Sequence, residues 1–250
     1  MKESIIKRRM QDLSEISDRR GQYTFTSFLT QAEHSEYYEI ENTLPPVGVT
    51  AWGGYADAER VMLRFGCIEN LGYEQAFPIC CVRISPLLKK FADKLSHRDV
   101  LGAVMHLGIE RQEIGDILVG EAEAYLFASD TMAEYICREL ETVKHTSVRC
   151  TIVETPVSLP NTQRKTEEIQ AASERIDGVI SKIFRLSRSE CNEFFRRGLI
   201  FVNDRAVTNH SIQLKAGDKV SVRGKGKFIF RGVIGQTRKG NLILQVEQYV

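Results

Sequence analysis

The stretch SRSECNEFFRRGLIFVNDRAV, which begins at residue 187, crowds arginines onto one short predicted helix. A helix advances about 100° per residue, so positions i, i+4 and i+8 stack along one arc. The side chains on this arc or directly beside it are Arg188, Ser189, Asn192, Arg196 and Arg197. Like charges held together repel each other unless an anion lies across them. The chemistry that this arrangement predicts is the binding of phosphate groups.

The ends of this helix are marked in the sequence. Ser187 stands three residues before Glu190, which is the spacing of a capping box, and Gly198 is suited to end the helix. On a second arc, Cys191 and Phe195 are expected to face a core. The helix is therefore predicted to pack on one side and to present cations on another.

Further cations follow around predicted turns. LIFV and RAV flank Asn203-Asp204, and both of these residues tolerate a positive φ, so a two-residue hairpin turn is predicted. A turn at 215–218 leads into another strand, and a last β-ribbon turns near residues 239–240. The cations on these segments that we include among the candidate RNA contacts are Arg205, Lys225, Lys227 and Arg231.

The cations are concentrated in one part of the chain. Residues 161–250 contain 17 Lys and Arg against 9 Asp and Glu, whereas residues 1–160 contain 17 against 24. The net charge of +1 therefore hides a basic module of +8 and an acidic body of −7. A basic module on an acidic body is a common pattern in nucleic-acid-binding proteins, although a basic tail can also serve solubility alone.

The composition is that of a soluble globular protein, with 250 residues of which 42% are hydrophobic and 27% charged. No stretch approaches the roughly 18 apolar residues that span a bilayer, and the charged N-terminal segment lacks the apolar core of a secretion signal. The six cysteines form no C-x-x-C pair and the five histidines are scattered, so neither disulfides nor a metal site are predicted. We expect a cytoplasmic protein with no cofactor, no membrane partner and no small-molecule substrate.

The first part of the chain is predicted to be a mostly helical N-terminal α/β domain over residues 1–75. Apolar periodicity predicts helices over 3–18, 25–39 and 57–65. Nothing in this part indicates chemistry.

Residues 76–155 follow the order strand–helix–strand–strand–helix–strand, which is the ferredoxin-like order of many RNA-recognition domains. We predict a helix from Pro86 to Leu95, a hairpin that turns near Gly120 and a helix with Asp130 as its N-cap. These strands lack the aromatic RNA-recognition motif, so they are not expected to stack single-stranded bases.

A polar, proline-bearing stretch over 156–168 is predicted to be a linker, and residues 169–250 form the basic module. The fold class that these patterns predict is α+β, distributed over several domains. The basic module is predicted to open with a helix over 175–184, because Ile176, Val179 and Ile180 form one apolar stripe.

Two short motifs invite an enzymatic interpretation. His97-Arg98-Asp99 matches the H-R-D of kinases, but the required Asn is absent, and Ser96 with Asp99 instead predicts a helix cap. RID at 175–177 resembles the R-L-D of pseudouridine synthases, yet no large β-rich catalytic domain accompanies it. Asp177 is instead expected in the first turn of a helix, where its charge favours the dipole.

The segment from RIDGVISKIFRLSRSE to KAGDKVSV resembles the S4 domain, a small RNA-binding fold first known in a ribosomal protein. The resemblance covers about 50 residues and implies that two short helices and the hairpin after them form an RNA-binding face. Asp204 departs from the family, which usually has glycine there, so the type of that turn is left open. Residue by residue, the resemblance points to Arg185, Ser187, Arg188, Arg196, Arg197, Asn203 and Arg205.

Two further segments, SHRDVLGAVMHLGIERQEIGDILV and GGYADAERVMLRFG, resemble the bacterial YlmH family, and this resemblance extends over essentially the whole chain. It implies an N-terminal domain, a ferredoxin-like or RRM-like middle domain and a C-terminal S4-type domain. It also implies binding to structured ribosomal RNA of the large subunit, with tRNA as a further candidate, and a part in ribosome-associated quality control.

The sequence therefore predicts a non-enzymatic RNA-binding protein that acts on the ribosome. Two alternatives stay open at this stage. One is an RNA-modifying enzyme of the pseudouridine-synthase type, which would depend on Asp177, and the other is an adaptor protein in cell division.

Overall fold

The computed structural model describes residues 4–88, 93–156, 158–160 and 163–249. The chain forms two compact units, Met1–Asn161 and Thr162–Val250, which we call the amino-terminal unit and the basic unit. Within the described ranges, no helix is both long enough and apolar enough to cross a membrane.

The amino-terminal unit mixes helices with short strands. In chain order its elements are α1 (Ile5–Arg20), β1 (Thr24–Phe25), α2 (Gln31–Ile40), β2 (Val49–Trp52), β3 (Met62–Phe65), α3 (Ile68–Leu71), β4 (Ile79–Pro86), α4 (His97–His106), β5 (Ile114–Val119), β6 (Ala124–Ser129), α5 (Asp130–Glu139), β7 (Thr142–Val143) and β8 (Thr146–Val153).

A five-stranded antiparallel sheet in the order β5-β6-β4-β8-β7 is the centre of this unit. Side chains alternate between the two faces of a strand, so Val82 and Leu126 point to the face that α4 and α5 cover with Val100 and Ile136. The observed order over 79–153 is the predicted strand–helix–strand–strand–helix–strand order with one addition, the two-residue strand β7, which pairs with β8. The predicted hairpin near Gly120 is confirmed.

The opposite face of this sheet is covered by the first part of the same chain. Phe127 on β6 packs in one buried cluster with Phe28, Tyr55 and Met62, and its ring stacks on the Tyr55 ring with 5.1 Å between centroids. A Cβ atom at Gly54 would lie 2.2 Å from the Phe127 ring, so the backbone passes directly over the sheet. The boundary predicted at residue 75 therefore does not separate two compact units.

The helix predicted over 57–65 is wrong, because Met62–Phe65 is strand β3. Strand β3 pairs with β1 on one side and with β2 on the other, and these ladders outweigh a local helical preference. Before it, the Asp116 carboxylate accepts hydrogen bonds from the backbone N–H groups of Glu59 (2.7 Å) and Arg60 (3.2 Å). A side chain distant in sequence thus provides the hydrogen-bond acceptor for these two backbone N–H groups.

Three other helix predictions differ in their limits. Helix α2 starts at Gln31 rather than at 25, because Thr30 and Glu33 form a capping box. Ser129, not Asp130, occupies the N-cap position of α5. Pro86 is the last residue of β4, and residues 89–92 of the helix predicted there lie outside the described residues.

The basic unit is one antiparallel sheet with two helices. Its elements are β9 (Arg164–Ala171), α6 (Ile176–Ile183), α7 (Arg188–Arg196), β10 (Ile200–Val202), β11 (Arg205–Ala206), β12 (Lys219–Val222), β13 (Gly226–Gln236) and β14 (Leu242–Tyr249). The strands follow the order β11-β10-β12-β13-β14-β9. Apolar side chains of α6 and α7, among them Val179, Ile180 and Phe195, pack on Phe228 and Val246 of the sheet.

The predicted linker is wrong over 164–168, because these residues form the first half of β9. This strand pairs with β14 along its whole length, from Arg164 opposite Tyr249 to Ala171 opposite Leu242. The stretch is polar because β9 is an edge strand, and polar side chains on an edge strand are common. Edge strands and linkers are both polar, so the composition of residues 164–168 did not distinguish between them.

Candidate nucleic-acid interface

Helix α7 is held at both ends by the local contacts that its sequence predicts. The Ser187 hydroxyl accepts a hydrogen bond from the Glu190 N–H (3.3 Å), and the Glu190 carboxylate accepts one from the Ser187 N–H (2.8 Å). The Ser187 hydroxyl also donates to this carboxylate at 2.7 Å, and this bond, followed by the one from the Ser187 N–H, lowers the pKa of Glu190. At the other end Gly198 has φ +62° and the Leu199 N–H donates to the Phe194 carbonyl at 3.0 Å, which completes a Schellman motif.

The two faces of α7 have the predicted orientation. Cys191 and Phe195 are buried, whereas Arg188, Asn192 and Arg196 are exposed. Arg196 forms an ion pair with Glu193 one turn away, so its charge is partly neutralised. Arg188 makes no ion pair within the described part of the chain. We use the name basic ridge for the exposed arginines at and around α7, which are Arg185, Arg188, Arg196 and Arg197.

Arg185 holds a backbone conformation that is uncommon for a residue with a side chain. It has φ +52° and lies between α6 and α7, where the Leu186 N–H donates to the Ser181 carbonyl at 3.0 Å. Glycine is the usual residue at this position of a helix end, because a Cβ costs energy in the left-handed region. An arginine at this position therefore destabilises the fold slightly, and its exposed side chain adds a cation to the basic ridge.

The hairpin after α7 has the predicted two-residue turn. Asn203 and Asp204 have φ values of +48° and +64°, and Val202 pairs with Arg205 across the turn. Two consecutive positive φ values define the type I′ turn, which matches the twist of the flanking strands. Asp204 therefore keeps the turn despite the absence of glycine, and Arg205 is exposed just beyond it.

The hydroxyls and amides predicted for RNA contact have different surroundings. The Ser187 hydroxyl is part of the capping box and lies 3.1 Å from the Ser189 hydroxyl. The Asn203 amide is hydrogen-bonded to Asp218 at 2.8 Å, so it holds two turns together. Asn192 is exposed beside Arg188.

Two of the predicted cations are held on the sheet by other side chains. Lys227 is only 9% exposed, and its ammonium lies 4.6 Å from the centroid of the Tyr249 ring. Arg231 forms two hydrogen bonds of 2.8 Å with the Glu247 carboxylate, which raises the pKa of Arg231. Lys225 is exposed, with its ammonium 6.0 Å from the Phe194 ring. Cross-strand pairing on the sheet, which no local pattern reveals, engages Lys227 and Arg231.

A groove of about 670 Å³ opens between α6 and α7 beside the basic ridge. Arg188 and Asn192 line it from α7, and Lys182 lines it from α6. His210, from the loop that follows β11, completes its rim. Sequence reasoning missed Lys182 and His210 because they are scattered singly along the chain. The one local signal was a glycine, Gly178, inside a short predicted helix.

The RID tripeptide has a structural role at the start of α6. Arg175 donates two hydrogen bonds to the Asp177 carboxylate, at 3.1 and 2.7 Å, and the Gly178 N–H donates a third at 2.8 Å. The Arg175 bonds are the main cause of the lowered pKa of Asp177. The predicted place of Asp177 in the first turn of a helix is confirmed.

The other enzyme-like tripeptide is also structural. Ser96 and Asp99 form a complete capping box at the start of α4, as predicted. Among the described residues, no three His, Cys, Asp or Glu side chains lie together in a group that could hold a metal ion. The cysteines are free thiols, and burial raises the pKa of Cys81 to about 11 and of Cys150 to about 12.

Comparison with known proteins gives similarity over most of the chain. Residues 73–156 match the family model described as a putative RNA-binding domain in YlmH. Over 202 residues the chain is 28% identical to ribosome-associated protein quality control protein P2 of Bacillus subtilis, a match that covers 77% of this chain and 75% of that protein. A shorter match of 54 residues, 43% identical, links it to small ribosomal subunit protein uS4 of Oleidesulfovibrio alaskensis and covers 21% of this chain and 26% of that protein.

One solved structure, cell division protein ylmH from Streptococcus pneumoniae, aligns with a TM-score of 0.46 and 20% identity. The alignment covers 61% of this chain and 94% of that one.

Proposed function

We propose that the chain is a member of the YlmH family, that it binds structured RNA of the large ribosomal subunit and that it acts, without catalysing a reaction, in ribosome-associated quality control. The match of residues 73–156 to the YlmH RNA-binding-domain model and the 28% identity to a ribosome-associated quality control protein support this proposal. Peptidyl-tRNA on that subunit is a second RNA that this proposal includes. The S4-type character of the basic unit and the RRM-like character of residues 76–155 are part of the same proposal.

The observation that most directly supports this function is the exposure of the basic-ridge arginines and, within the described ranges, the lack of ion pairs at three of them. Arg185, Arg188 and Arg197 are exposed, and none of them makes an ion pair among the residues that the structure describes. Arginine binds phosphate through two parallel N–H···O bonds, and its charge does not depend on pH in the accessible range. Exposed arginines that lack a counter-ion within the protein are suited to binding a polyanion.

Arg196 fits the same role despite its partner. Its side chain is 78% exposed and that of Glu193 is 41% exposed, so the ion pair between them lies in water. An exposed ion pair of this kind contributes at most about 1 kcal/mol. Arg196 therefore loses little free energy when an RNA phosphate replaces the Glu193 carboxylate as its partner.

The central sheet of the amino-terminal unit supports a different mode of contact for residues 73–156. Tyr125 and Phe127 on β6 are buried against Phe28 and Tyr55, so these rings are not available to stack on bases. RNA recognition by this segment would therefore use its helices or loops. The basic unit is the main RNA-binding surface in our proposal.

The test is co-sedimentation of the full chain with large ribosomal subunits over a range of salt concentrations. We expect Arg188→Ala with Arg197→Ala to weaken binding by about 10-fold or more for each arginine, because a hydrogen bond to a charged group contributes about 1.5–3 kcal/mol. The slope of log affinity against log salt should fall by about one for each lost phosphate contact.

Arg238→Ala with Lys239→Ala is the matched control, because it removes the same charge from the turn between β13 and β14. Equal losses in both double variants would mean that net charge, and not the ridge, governs binding. If the Arg188 and Arg197 double variant still sediments with large subunits at moderate salt, the assignment of the basic ridge as the binding site is wrong. A modified nucleotide that appears in ribosomal RNA and depends on Asp177 would favour the enzymatic alternative.

A further inference from the structure

Helix α6 contains a glycine that the fold does not explain. Gly178 is the third residue of α6 and has no positive φ, so its backbone does not require glycine. A Cβ atom built on it would meet no heavy atom within 4 Å, so no close packing requires glycine either. Glycine in a helix costs about 1 kcal/mol relative to alanine. The basic unit thus accepts a loss of stability to keep this position without a side chain.

The space that Gly178 leaves open belongs to the groove between α6 and α7. Its volume of about 670 Å³ lies in the range of roughly 300–1,000 Å³ that is typical of small-ligand sites. Ala171, Ala172 and Cys191 contribute small, weakly polar side chains to its lining. A flat ring could rest on these side chains without leaving a buried polar group unpaired.

The rim of the groove carries cations and hydrogen-bonding groups. Arg188 and Lys182 make no ion pair within the described ranges, whereas the charges of Arg175 and Asp177 neutralise each other at 2.7 Å. The Asn192 amide offers both donors and an acceptor. The Nδ1 atom of His210 lies 3.3 Å from the Arg175 guanidinium and accepts from it, so this side chain, which is 54% exposed, offers its Nε2–H donor. The rim is therefore positive, and it can also form hydrogen bonds with the edge of a base.

We propose that this groove receives a single unpaired nucleotide that is extruded from the bound RNA. The inference rests on the proposed function and specifies the kind of RNA that the basic ridge prefers. Bases inside an A-form duplex are stacked and cannot enter a groove, whereas bulged nucleotides can be splayed out and bound on their edges. The base would lie over Gly178 and Cys191, and its phosphate would contact Arg188.

The test compares two labelled RNA hairpins of the same stem, one with a single bulged adenosine and one fully paired, by fluorescence anisotropy with the full chain. We expect the native chain to bind the bulged hairpin about tenfold more tightly, the order of free energy that stacking one base contributes. Gly178→Leu should abolish this preference and leave affinity for the paired hairpin unchanged, because the new side chain fills only the groove. Gly178→Ala should reduce the preference partially and raise the melting temperature.

Ala32→Leu is the matched control, because it adds a leucine side chain without a change in charge. Ala32 is an exposed residue of α2 in the amino-terminal unit, outside residues 73–156. Its substitution should leave binding to both hairpins unchanged.

Equal binding of the two hairpins by the native chain, binding to neither, or an equal loss for both in Gly178→Leu would overturn the inference. Displacement of either hairpin by free adenosine monophosphate, without a preference for the bulge, would assign the groove to a mononucleotide and would also overturn it. If the chain still sediments with large subunits in any of these cases, the proposed function stands. Loss of sedimentation as well would mean that the proposed function has failed.

Discussion

The Asp218 carboxylate accepts a hydrogen bond from the side-chain amide of Asn203 at 2.8 Å. Its other oxygen accepts one from the Lys215 N–H at 2.8 Å, and the Asn203 side-chain oxygen accepts one from the Lys219 N–H at 3.0 Å. These bonds join the β10–β11 turn to the turn that precedes β12. Asn203 is therefore a positioning residue for the hairpin that carries Arg205.

Removal of this contact should destabilise the basic unit. We expect Asp218→Ala to lower the free energy of unfolding by about 1–3 kcal/mol, since it removes two hydrogen bonds at a partly exposed site. Asn203→Gly should cost less than Asn203→Ala, because glycine also tolerates the φ of +48°. Urea unfolding followed by circular dichroism measures both effects. Equal losses for the two Asn203 variants would contradict the assigned importance of the left-handed backbone.

Arg185→Gly should change stability and RNA affinity in opposite directions. Glycine relieves the left-handed backbone at φ +52°, so the free energy of unfolding should rise by up to about 1 kcal/mol. The same change removes a cation from the basic ridge, so sedimentation with large subunits should weaken. Lys144→Gly is the control, because Lys144 has φ +59° in the amino-terminal unit. It should raise stability with a smaller loss of sedimentation, because the basic unit is the main RNA-binding surface in our proposal. An equal loss of binding in both variants would argue against a local role for Arg185.

Tyr55→Phe tests how the first part of the chain is attached to the central sheet. The Tyr55 hydroxyl donates to the Asp116 carboxylate at 2.8 Å, and burial, followed by the nearby Asp116 charge, raises the pKa of Tyr55. The variant should lose about 1.5–3 kcal/mol, which is the usual contribution of a hydrogen bond to a charged group. Tyr73→Phe should cost almost nothing, because that side chain is 44% exposed. Thermal unfolding compares the two, and similar melting temperatures would mean that the hydroxyl contributes little.

Stability of the basic unit should fall in acid. Hydrogen bonds from Arg175 lower the pKa of Asp177 below its ordinary 3.8, and those from Arg231 lower the pKa of Glu247 below 4.5. Protonation of these two carboxylates favours the unfolded chain. The stabilisation that their hydrogen bonds provide is therefore complete above the ordinary pKa values, and it is lost as the pH falls through the lowered ones. Asp177→Asn should flatten the dependence of the melting temperature on pH below the ordinary Asp pKa of 3.8. Glu174→Gln, which removes a carboxylate without a hydrogen-bond or ion-pair partner among the described residues, should leave the profile unchanged.

The parts of the structure that can be predicted from the sequence alone are those that depend on local contacts. The capping boxes at Ser187 and Ser96 and the turn at Asn203-Asp204 depend on residues at most three positions apart, so their types and spacing suffice to predict them. The two-faced character of α7 follows from helical periodicity in the same way. The exposure of Arg188 and Arg196 and the bounds of α7 can therefore be predicted from the sequence.

Contacts between segments distant in sequence determined the features that local patterns did not predict. Met62–Phe65 became a strand because it pairs on both sides with distant strands, and residues 164–168 became part of β9 because β14 lies beside them. Lys227 and Arg231 were engaged by Tyr249 and Glu247 through the same long-range pairing. The groove at Gly178 exists only where two helices and a loop meet. Contacts between residues far apart in the chain leave no pattern in local spacing, and the free energy of such contacts exceeds the local preference of a short segment.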